Sequence, residues 1–463
     1  MAKVTQKEKE VRELAKWEKE LARPKGKFYV WYLLLIITLI YIIDEVTSTI
    51  GAQMQTEIAI GLFQDRLSIM SLLTALSLPI LVLAIFYKTL ADKYGRKLFL
   101  VINTLGMGVG MFLIFLAGAI GNLPGVVVYV LATIIVNFFI PHDMQVVYIM
   151  ETSPEGKRAT TFAVVKALAT LGIVLVPAMR RVFMGDDITK WNLVYLVPAI
   201  VAMLVSFIAL LFARESEVFL RKRIAYLKMT DEEREAEIEE RSKEAQAQGG
   251  MGNAFKFAFR HKQLRWLFIT SAIIAVSTMG TNYYAKIGDL FYTTSQVTTM
   301  LFLYPFGSAF MTMLNGILGD RIGRKKTQLI VVATAFLSFT LFFVGVHFGL
   351  NPALAGLLIG LYIGATFASS DNIGSVMTAE SSPTNLRASI MSAQTVMFMA
   401  GMIVAMIIPT IVLLATNDNY NVLGWLCILV SAPAQAITLV LFSLNVKDTT
   451  HVDLNLVRGD EWD

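Results

Sequence analysis

A chain of 463 residues that is 56% hydrophobic and only 16% charged carries too much apolar surface for a water-soluble globule, so its composition is that of an integral membrane protein. The net charge of +5 is a modest basic excess that loop bias in a membrane protein explains without a nucleic-acid surface. A single cysteine, Cys427, excludes an internal disulfide.

Nine basic residues precede the first long apolar run: Lys3, Lys7, Lys9, Arg12, Lys16, Lys19, Arg23, Lys25 and Lys27. Between Lys7 and Leu21, Val11, Leu14, Trp17 and Leu21 recur at roughly helical spacing, which fits either a short amphipathic helix on the membrane surface or a solvated charged arm. The run beginning near Phe28 is too long for a signal-peptide core and lacks a small-residue cleavage site, so it is expected to remain as the first span. A spanning helix needs about 20 apolar residues. Twelve such stretches are predicted, at 28–54, 68–89, 98–119, 124–149, 160–183 and 192–212, then at 264–286, 295–317, 326–348, 352–378, 389–415 and 422–445. The expected fold class is therefore an all-α membrane protein of two six-helix bundles. Its organisation is a cytoplasmic arm at 1–27, a bundle at 28–212, a linker with helices at 213–263, a bundle at 264–445 and a tail at 446–463.

In the linker, Thr230 and Glu233 form a capping-box pattern ahead of mixed charges to Lys243 and a Gln/Gly stretch around 245–252. Basic clusters recur at Lys93/Arg96/Lys97, Lys157/Arg158, Arg221/Lys222/Arg223 and Arg321/Arg324/Lys325/Lys326, all on one face if the spans alternate. Under the positive-inside rule that face is expected to be cytoplasmic, with both termini inside; the expected location is the plasma (inner) membrane. The opposite connections carry few basic residues, mainly Arg66, Arg180, Arg181, Lys190 and Lys286, of which Arg180 and Arg181 are read as interfacial anchors. Pro79, Pro141, Pro177, Pro198, Pro305, Pro409 and Pro433 are expected to kink or loosen spans. Gly106-x-Gly108-x-Gly110 follows no strand, so close helix packing rather than a nucleotide turn is expected of it.

Two blocks recur. Leu90-Ala91-Asp92-Lys93-Tyr94-Gly95-Arg96-Lys97 is echoed by Leu318-Gly319-Asp320-Arg321-Ile322-Gly323-Arg324-Lys325, each between long apolar stretches. Glu151-Thr152-Ser153-Pro154 closing on Arg158 is echoed by Glu380-Ser381-Ser382-Pro383 closing on Arg387. The offsets nearly agree, since 320 − 92 is 228 and 380 − 151 is 229. A duplicated membrane unit around a central site is the architecture of a transporter.

The D-[KR]-x-G-R-[KR] block, repeated after the second and eighth spans, resembles the signature loop of the major facilitator superfamily; Gly316 supplies the leading glycine in the second copy, where the first has Lys88. Within that superfamily, Glu151/Pro154/Arg158 and Glu380/Pro383/Arg387 resemble the E-x-x-P-x-x-x-R elements of sugar porters and metabolite:proton symporters. Arg214-Glu215-Ser216-Glu217-Val218-Phe219-Leu220 is similar to their P-E-S-P-R-[FYW]-L, and Lys447 to Leu454 to a reduced P-E-T-K-G-x-x-L. Gly280-Thr281-Asn282-Tyr283-Tyr284 is similar to G-x-N-x-x-x-Y-Y with intervening residues lost, which implies a solute contact from Asn282 and, with altered spacing, Tyr283 and Tyr284. The resemblance places Asp92, Arg96, Glu151 and Arg158, with Asp320, Arg324, Glu380 and Arg387, at corresponding cytoplasmic corners, so they are expected to converge where the two halves meet, as gates whose ion pairs favour the inward-closed state rather than as ligands.

An ionisable group near the bilayer centre costs about 2.5 kcal/mol or more, so each needs a partner, a cavity or a function. Asp44 and Glu45 lie well inside the first span and point about 100° apart. The family implies a proton-carrying aspartate on the first helix, for which Asp44 is the nearest match; its usual arginine on the fourth helix has no basic equivalent near Leu131. Proton coupling, a structural hydrogen bond and direct solute contact all remain open for this pair. His142-Asp143 and Asp371-Asn372 occupy equivalent depths on the fourth and tenth spans, either as a proton-binding group or as packed hydrogen-bonding pairs. Lys166 either faces the cavity, pairs with Asp143 or Glu45, or snorkels. Gln145 and Gln394 complete the expected lining.

The expected function is secondary transport of a small polar solute, a sugar or related metabolite, by alternating access with proton symport. An organic-anion transporter anchored by Lys166 and a non-transporting nutrient sensor are the rivals. Drug export is disfavoured, because Leu168 to Arg181 holds only Gly172 and Pro177 where exporters carry G-P-x-x-G-G. There is no nucleophile–base arrangement or phosphate loop, and His142, His261, His347 and His451 are too dispersed for a metal site, so neither an enzyme nor a cofactor is expected beyond a proton gradient. The expected partners are solute, protons and lipid, with the chain monomeric.

Overall fold

The computed structural model describes residues 6–24, 28–77, 90–140, 142–152, 158–230, 232–236, 250–383 and 386–450, with single positions 80, 83, 87 and 239 besides. Among them the regular structure is entirely helical. In chain order come α1 (Gln6–Leu21), α2 (Tyr29–Gln53), α3 (Gln55–Phe63), α4 (Leu67–Ala75), α5 (Ala91–Tyr94), α6 (Arg96–Ile120) and α7 (Asn122–Phe139). Then follow α8 (His142–Thr152), α9 (Arg158–Gly172), α10 (Leu175–Met179), α11 (Leu193–Phe212), α12 (Glu217–Lys228) and α13 (Gly250–Arg260). The remainder are α14 (Lys262–Asp289), α15 (Thr294–Ile322), α16 (Arg324–His347), α17 (Pro352–Phe367), α18 (Ser375–Glu380), α19 (Arg387–Ala415) and α20 (Tyr420–Asn445). Eleven stretches of the described residues are long and apolar enough to cross a bilayer, and α3 with α4 adds a pair bent by 102°. Of the predicted second span, the described part is α4 with residues 76, 77, 80, 83 and 87.

Local chemistry sets the helix ends. Thr293 and Gln296 form a capping box on α15, and Asn351 caps α17 just ahead of Pro352 at its first turn. The linker box also forms, with Thr230 N–H bonded to Glu233 at 2.8 Å and Glu233 N–H to the Thr230 hydroxyl at 3.3 Å.

The chain forms two compact units. One comprises Met1–Thr49, Leu76–Ile173 and Asn192–Ser242; the other comprises Ile50–Ala75, Val174–Trp191 and Lys243–Asp463. In the first, the glycine run of α6 lies against helix surfaces as expected: a Cβ at Gly106 or Gly110 would strike Phe139 or Val136 of α7, and one at Gly108 would press on Ala199 and Ala202 of α11. In the second, Gly356, Gly360 and Gly364 of α17 bring its backbone against the Met300, Tyr304 and Ser308 carbonyls of α15. Lipid tails are as apolar as side chains, so this intimate packing, rather than removal of surface from water, holds such helices together.

Helix α1 packs on the linker helix α12. Trp17, buried, meets Phe219 edge-on at 5.6 Å, and Leu14 and Leu21 pack with Leu220, Ile224 and Leu227 of α12. Arg223–Glu13 at 2.9 Å, Lys228–Glu18 at 2.7 Å and Arg234–Glu10 at 2.8 Å flank that seam. Three of the four stripe residues thus meet the linker helix, while Val11 stays exposed.

Candidate transport site and gates

The fourth and tenth spans are both broken, at equivalent depths. In the fourth, α7 stops at Phe139, Ile140 is extended, and α8 restarts at His142. In the tenth, α17 passes into a π turn over Ala368–Gly374 before α18 resumes. A break frees backbone carbonyls that lipid cannot satisfy, so neighbouring side chains must. The Asn315 amide donates to the Ala368 carbonyl at 3.3 Å and the Gln328 amide to the Ser369 carbonyl at 2.9 Å. The breaks carry His142-Asp143 and Asp371-Asn372, whose side chains lie outside the described residues.

Around them, Gln145 on α8 is fully buried, and neither end of its amide has a hydrogen-bond partner among the described residues. Gln394 on α19 is buried, its amide nitrogen beside Gly374 of the π turn. Asp44 on α2 has no solvent exposure, whereas Glu45 is half-buried, consistent with their different directions on the helix. Lys166 is half-buried on α9. Asn282, partly buried, shares α14 with Tyr283 and Tyr284, and both tyrosines are buried elsewhere than at these breaks. Tyr283 donates to the Ser71 hydroxyl at 3.4 Å, and Tyr284 packs on Tyr304 at 5.3 Å.

Each half carries one constellation built on its basic block, and the two repeat in kind. Arg96 pairs with Glu151 at 3.0 Å, and the Ser216 hydroxyl donates to the same carboxylate. Glu215 accepts the N–H groups of Arg96 at 3.0 Å, Lys97 at 3.1 Å and Ser216 at 3.0 Å, capping the N-terminus of α6. In the second half Arg324 meets Glu380 at 3.5 Å, and the Thr449 hydroxyl donates to Glu380. Asp448 accepts Lys325 N–H at 3.2 Å, and the Thr450 hydroxyl accepts Arg324 N–H at 2.8 Å. Gly95 and Gly323 sit at φ 106° and 96°, which explains the glycine of the repeated block. Arg387 donates to the Ala379 carbonyl at 3.0 Å and to that of Ser382 at 3.2 Å. Each described pair is thus made within its own sequence half; the side chains of Asp92, Arg158 and Asp320 lie outside the described residues.

Glu215/Ser216 and Asp448/Thr449 were absent from the expected gate set. The signal was present, because 448 − 215 and 449 − 216 are both 233, an offset close to those of the other repeats. Burial holds the Glu215 carboxyl above the ordinary carboxylate range, against the N–H groups of Ser216, Lys97 and Arg96. At Asp448, burial pushes upward as well, but the Thr450 hydroxyl and the N–H groups of Lys325, Thr450 and Arg324 hold it below that range.

Within the second unit, the other ends of the spans, their distal ends, are held together by a network the composition did not reveal. Arg180 is no interfacial anchor: it is 1% exposed in a π turn over Arg180–Met184, paired with Glu57 of α3 and donating to the Gln53 carbonyl at 3.1 Å. Arg181, by contrast, is exposed. The Thr56 hydroxyl donates to Asp289 of α14, and Gln53 donates to the Tyr304 hydroxyl at 3.3 Å. The Lys286 ammonium lies 3.7 Å from the centre of the Tyr420 ring. Asp418, ahead of α20, accepts Ser68 N–H at 2.7 Å, the Ser68 hydroxyl at 2.8 Å and Arg66 Nε at 3.0 Å, capping α4. Tyr420 donates to the Asp65 carboxylate at 2.9 Å. Distal ends from the first, second and fifth spans are thereby bound to α14, α15 and the α19–α20 turn within one compact unit.

Among solved structures, the inward-open xylose transporter XylE from E. coli is similar at TM-score 0.66 and 15% identity, over 94% of this chain and 100% of that one. The nucleoside transporter NupG matches at TM-score 0.63 and 15% identity, over 90% of this chain and 100% of that one. A bacterial homologue of the human lysosomal transporter Spinster, inward-facing and unoccupied, matches at TM-score 0.56 and 14% identity, over 91% of this chain and 96% of that one. At these identities the likeness shows the fold, two pseudo-symmetric six-helix bundles. No curated protein matches the sequence. The Major Facilitator Superfamily model matches residues 32–406 and 285–456, and by that extent the chain is a transporter-family protein, not an enzyme: it belongs to the major facilitator superfamily.

Proposed function

We propose that the chain moves a small polar solute, a sugar or related metabolite, across the plasma membrane by alternating access, driven by proton symport. The observation that carries this reading is the pair of breaks in the fourth and tenth spans, at corresponding positions of the two halves. Interrupted spans at matching points of a repeat are where transporters with such repeats bind their cargo, and backbone outside a regular helix persists at membrane depth where protein buries it or it lines a cavity. His142, Asp143, Asp371 and Asn372 sit on those breaks, with Gln145 and Gln394 buried beside them in sequence or space. Such amides and carboxylates suit hydroxyl-rich solutes. Asp44, fully buried in the first span, is the proton carrier in this reading. The positive-inside rule, applied to the basic clusters, supports termini in the cytoplasm, and in that orientation the distal network acts as an outer gate, or seal.

Proteoliposomes test it. Thermal-shift screening against sugars, sugar acids and organic acids supplies the solute, and uptake is then measured with and without an inward proton gradient. Gradient-driven accumulation lost in Asp44→Asn is expected. Uptake that ignores both the gradient and that substitution removes proton coupling, a carboxylate cargo shifts the reading to an anion transporter using Lys166, and binding without flux removes transport.

A further inference from the structure

We infer that the junction of α13 and α14 is a binding site for anionic phospholipid headgroups of the leaflet on the basic side. From residue 250 to residue 288 the sequence contains no acidic residue, yet Lys256, Arg260, Lys262 and Arg265 fall within ten positions. Helix α13 buries Ala254 and Ala258 in a cluster with Leu264, Phe268 and Met377, which fixes its opposite face, bearing Lys256 and Arg260, outward. On α14, Lys262, Arg265, Trp266 and Ile269 follow at i, i+3, i+4 and i+7 and share one face, while Leu264, Leu267, Phe268 and Ser271 are buried on the other. That outward face is the lipid side of a spanning helix, and Lys262 and Arg265 stand on its first turn. Phe259, 39% exposed, lies on the flank between the basic face of α13 and this turn. Arg260 and Arg265 make no ion pair among the described residues.

Cations and aromatic rings concentrated where a spanning helix enters the headgroup layer are the arrangement that anionic lipid satisfies. Each basic side chain near an anionic surface contributes about 1 kcal/mol of attraction, and the indole and phenyl rings hold the acyl boundary. Phe259 meets Phe268 edge-on and Trp266 packs in part on the cluster beneath α13, so what singles out the lipid is the place of the charges: they stand where a spanning helix enters the headgroup layer, with the exposed part of Phe259 beside them. Through Met377 and the cluster beneath α13, an occupied site braces the end of the tenth span just beyond its π turn.

Trp266 reports occupancy. The full chain and its Trp266→Phe variant are titrated in detergent with brominated phosphatidylglycerol or brominated phosphatidylcholine, and the difference in quenching isolates this indole. Quenching by the glycerol lipid at about ten-fold lower mole fraction is expected. Combined Arg260→Gln, Lys262→Gln and Arg265→Gln should abolish that preference, whereas Arg260→Lys with Arg265→Lys should keep it; melting temperature and gel filtration check folding. In the unaltered chain, raising salt to about 0.5 M should erase the preference without any substitution. Equal quenching by both lipids, a preference that survives the triple change, or displacement by free glycerol phosphate overturns the inference.

Discussion

Asp418 offers the sharpest test of the distal seal. Asp418 is 9% exposed, and its carboxylate holds three donors, Ser68 N–H, the Ser68 hydroxyl and Arg66 Nε. Loss of an N-terminal cap costs about 1 kcal/mol, and a charge-assisted bond to a buried hydroxyl about 1.5 kcal/mol. Arg66 is half-exposed, so its share is only about 0.5 kcal/mol. Together Asp418→Ala should destabilise the sealed state by about 2–3 kcal/mol, a shift of about 30- to 150-fold toward the distally open state. Cys427 is buried and is the sole cysteine, which leaves the chain ready for a reporter thiol. Ser71→Cys, at the buried contact with Tyr283, should react slowly with a membrane-impermeant maleimide and at least ten times faster once Asp418→Ala is added. An Arg66→Ala control should move the rate only a few-fold. If Asp418→Ala leaves labelling unchanged while the protein remains folded, the trans cap does not hold this end shut.

Other outcomes follow from packing and charge. Arg180→Met strands Glu57 in the interior and should cost about 3–5 kcal/mol, seen as a large drop in melting temperature; adding Glu57→Leu should restore most of it, and a double variant no better than the single refutes a buried pair. Gly360→Ala puts a methyl into the Tyr304 carbonyl of α15, so a destabilisation of about 2–3 kcal/mol is expected, and a melting temperature within error of the parent would contradict the backbone contact. The two capping carboxylates should respond to pH with opposite sign. Glu215 is raised by burial, so its contribution is present below the ordinary carboxylate value and lost as pH rises through the raised one. Asp448 is depressed, so its contribution is present above the ordinary value and lost as pH falls through the depressed one. Melting from about pH 3 to 8 should therefore show Glu215→Gln flattening the decline on the upper side and Asp448→Asn flattening the acid side; unchanged slopes in both would refute the assignment.

Much of this was legible from residue order. Apolar runs of fixed length gave spans close to those found, as α6, α11 and α19 illustrate, because a helix in lipid must satisfy its own backbone and therefore announces itself by length. The break in the fourth span was marked by Pro141, but the π turn at Ala368–Gly374 contains no proline and depends on Asn315 and Gln328 from other helices. Periodicity in Lys7–Leu21 marked α1 but not its packing on α12, since an apolar stripe records that something covers it without recording what. Glu215 and Asp448 were visible as remnants of a motif; their bonding to helix N-termini was not.

The sequence by itself determined a duplicated, all-helical membrane chain, the register of its repeated blocks and the face that collects positive charge, because lipid penalises polar groups residue by residue and so writes the topology into composition. Only the tertiary structure decided which charges meet. Arg180 with Glu57, Thr56 with Asp289 and Ser68 with Asp418 join residues far apart in the chain, and the energy of such a pair depends on separation and burial, neither of which a one-dimensional pattern contains.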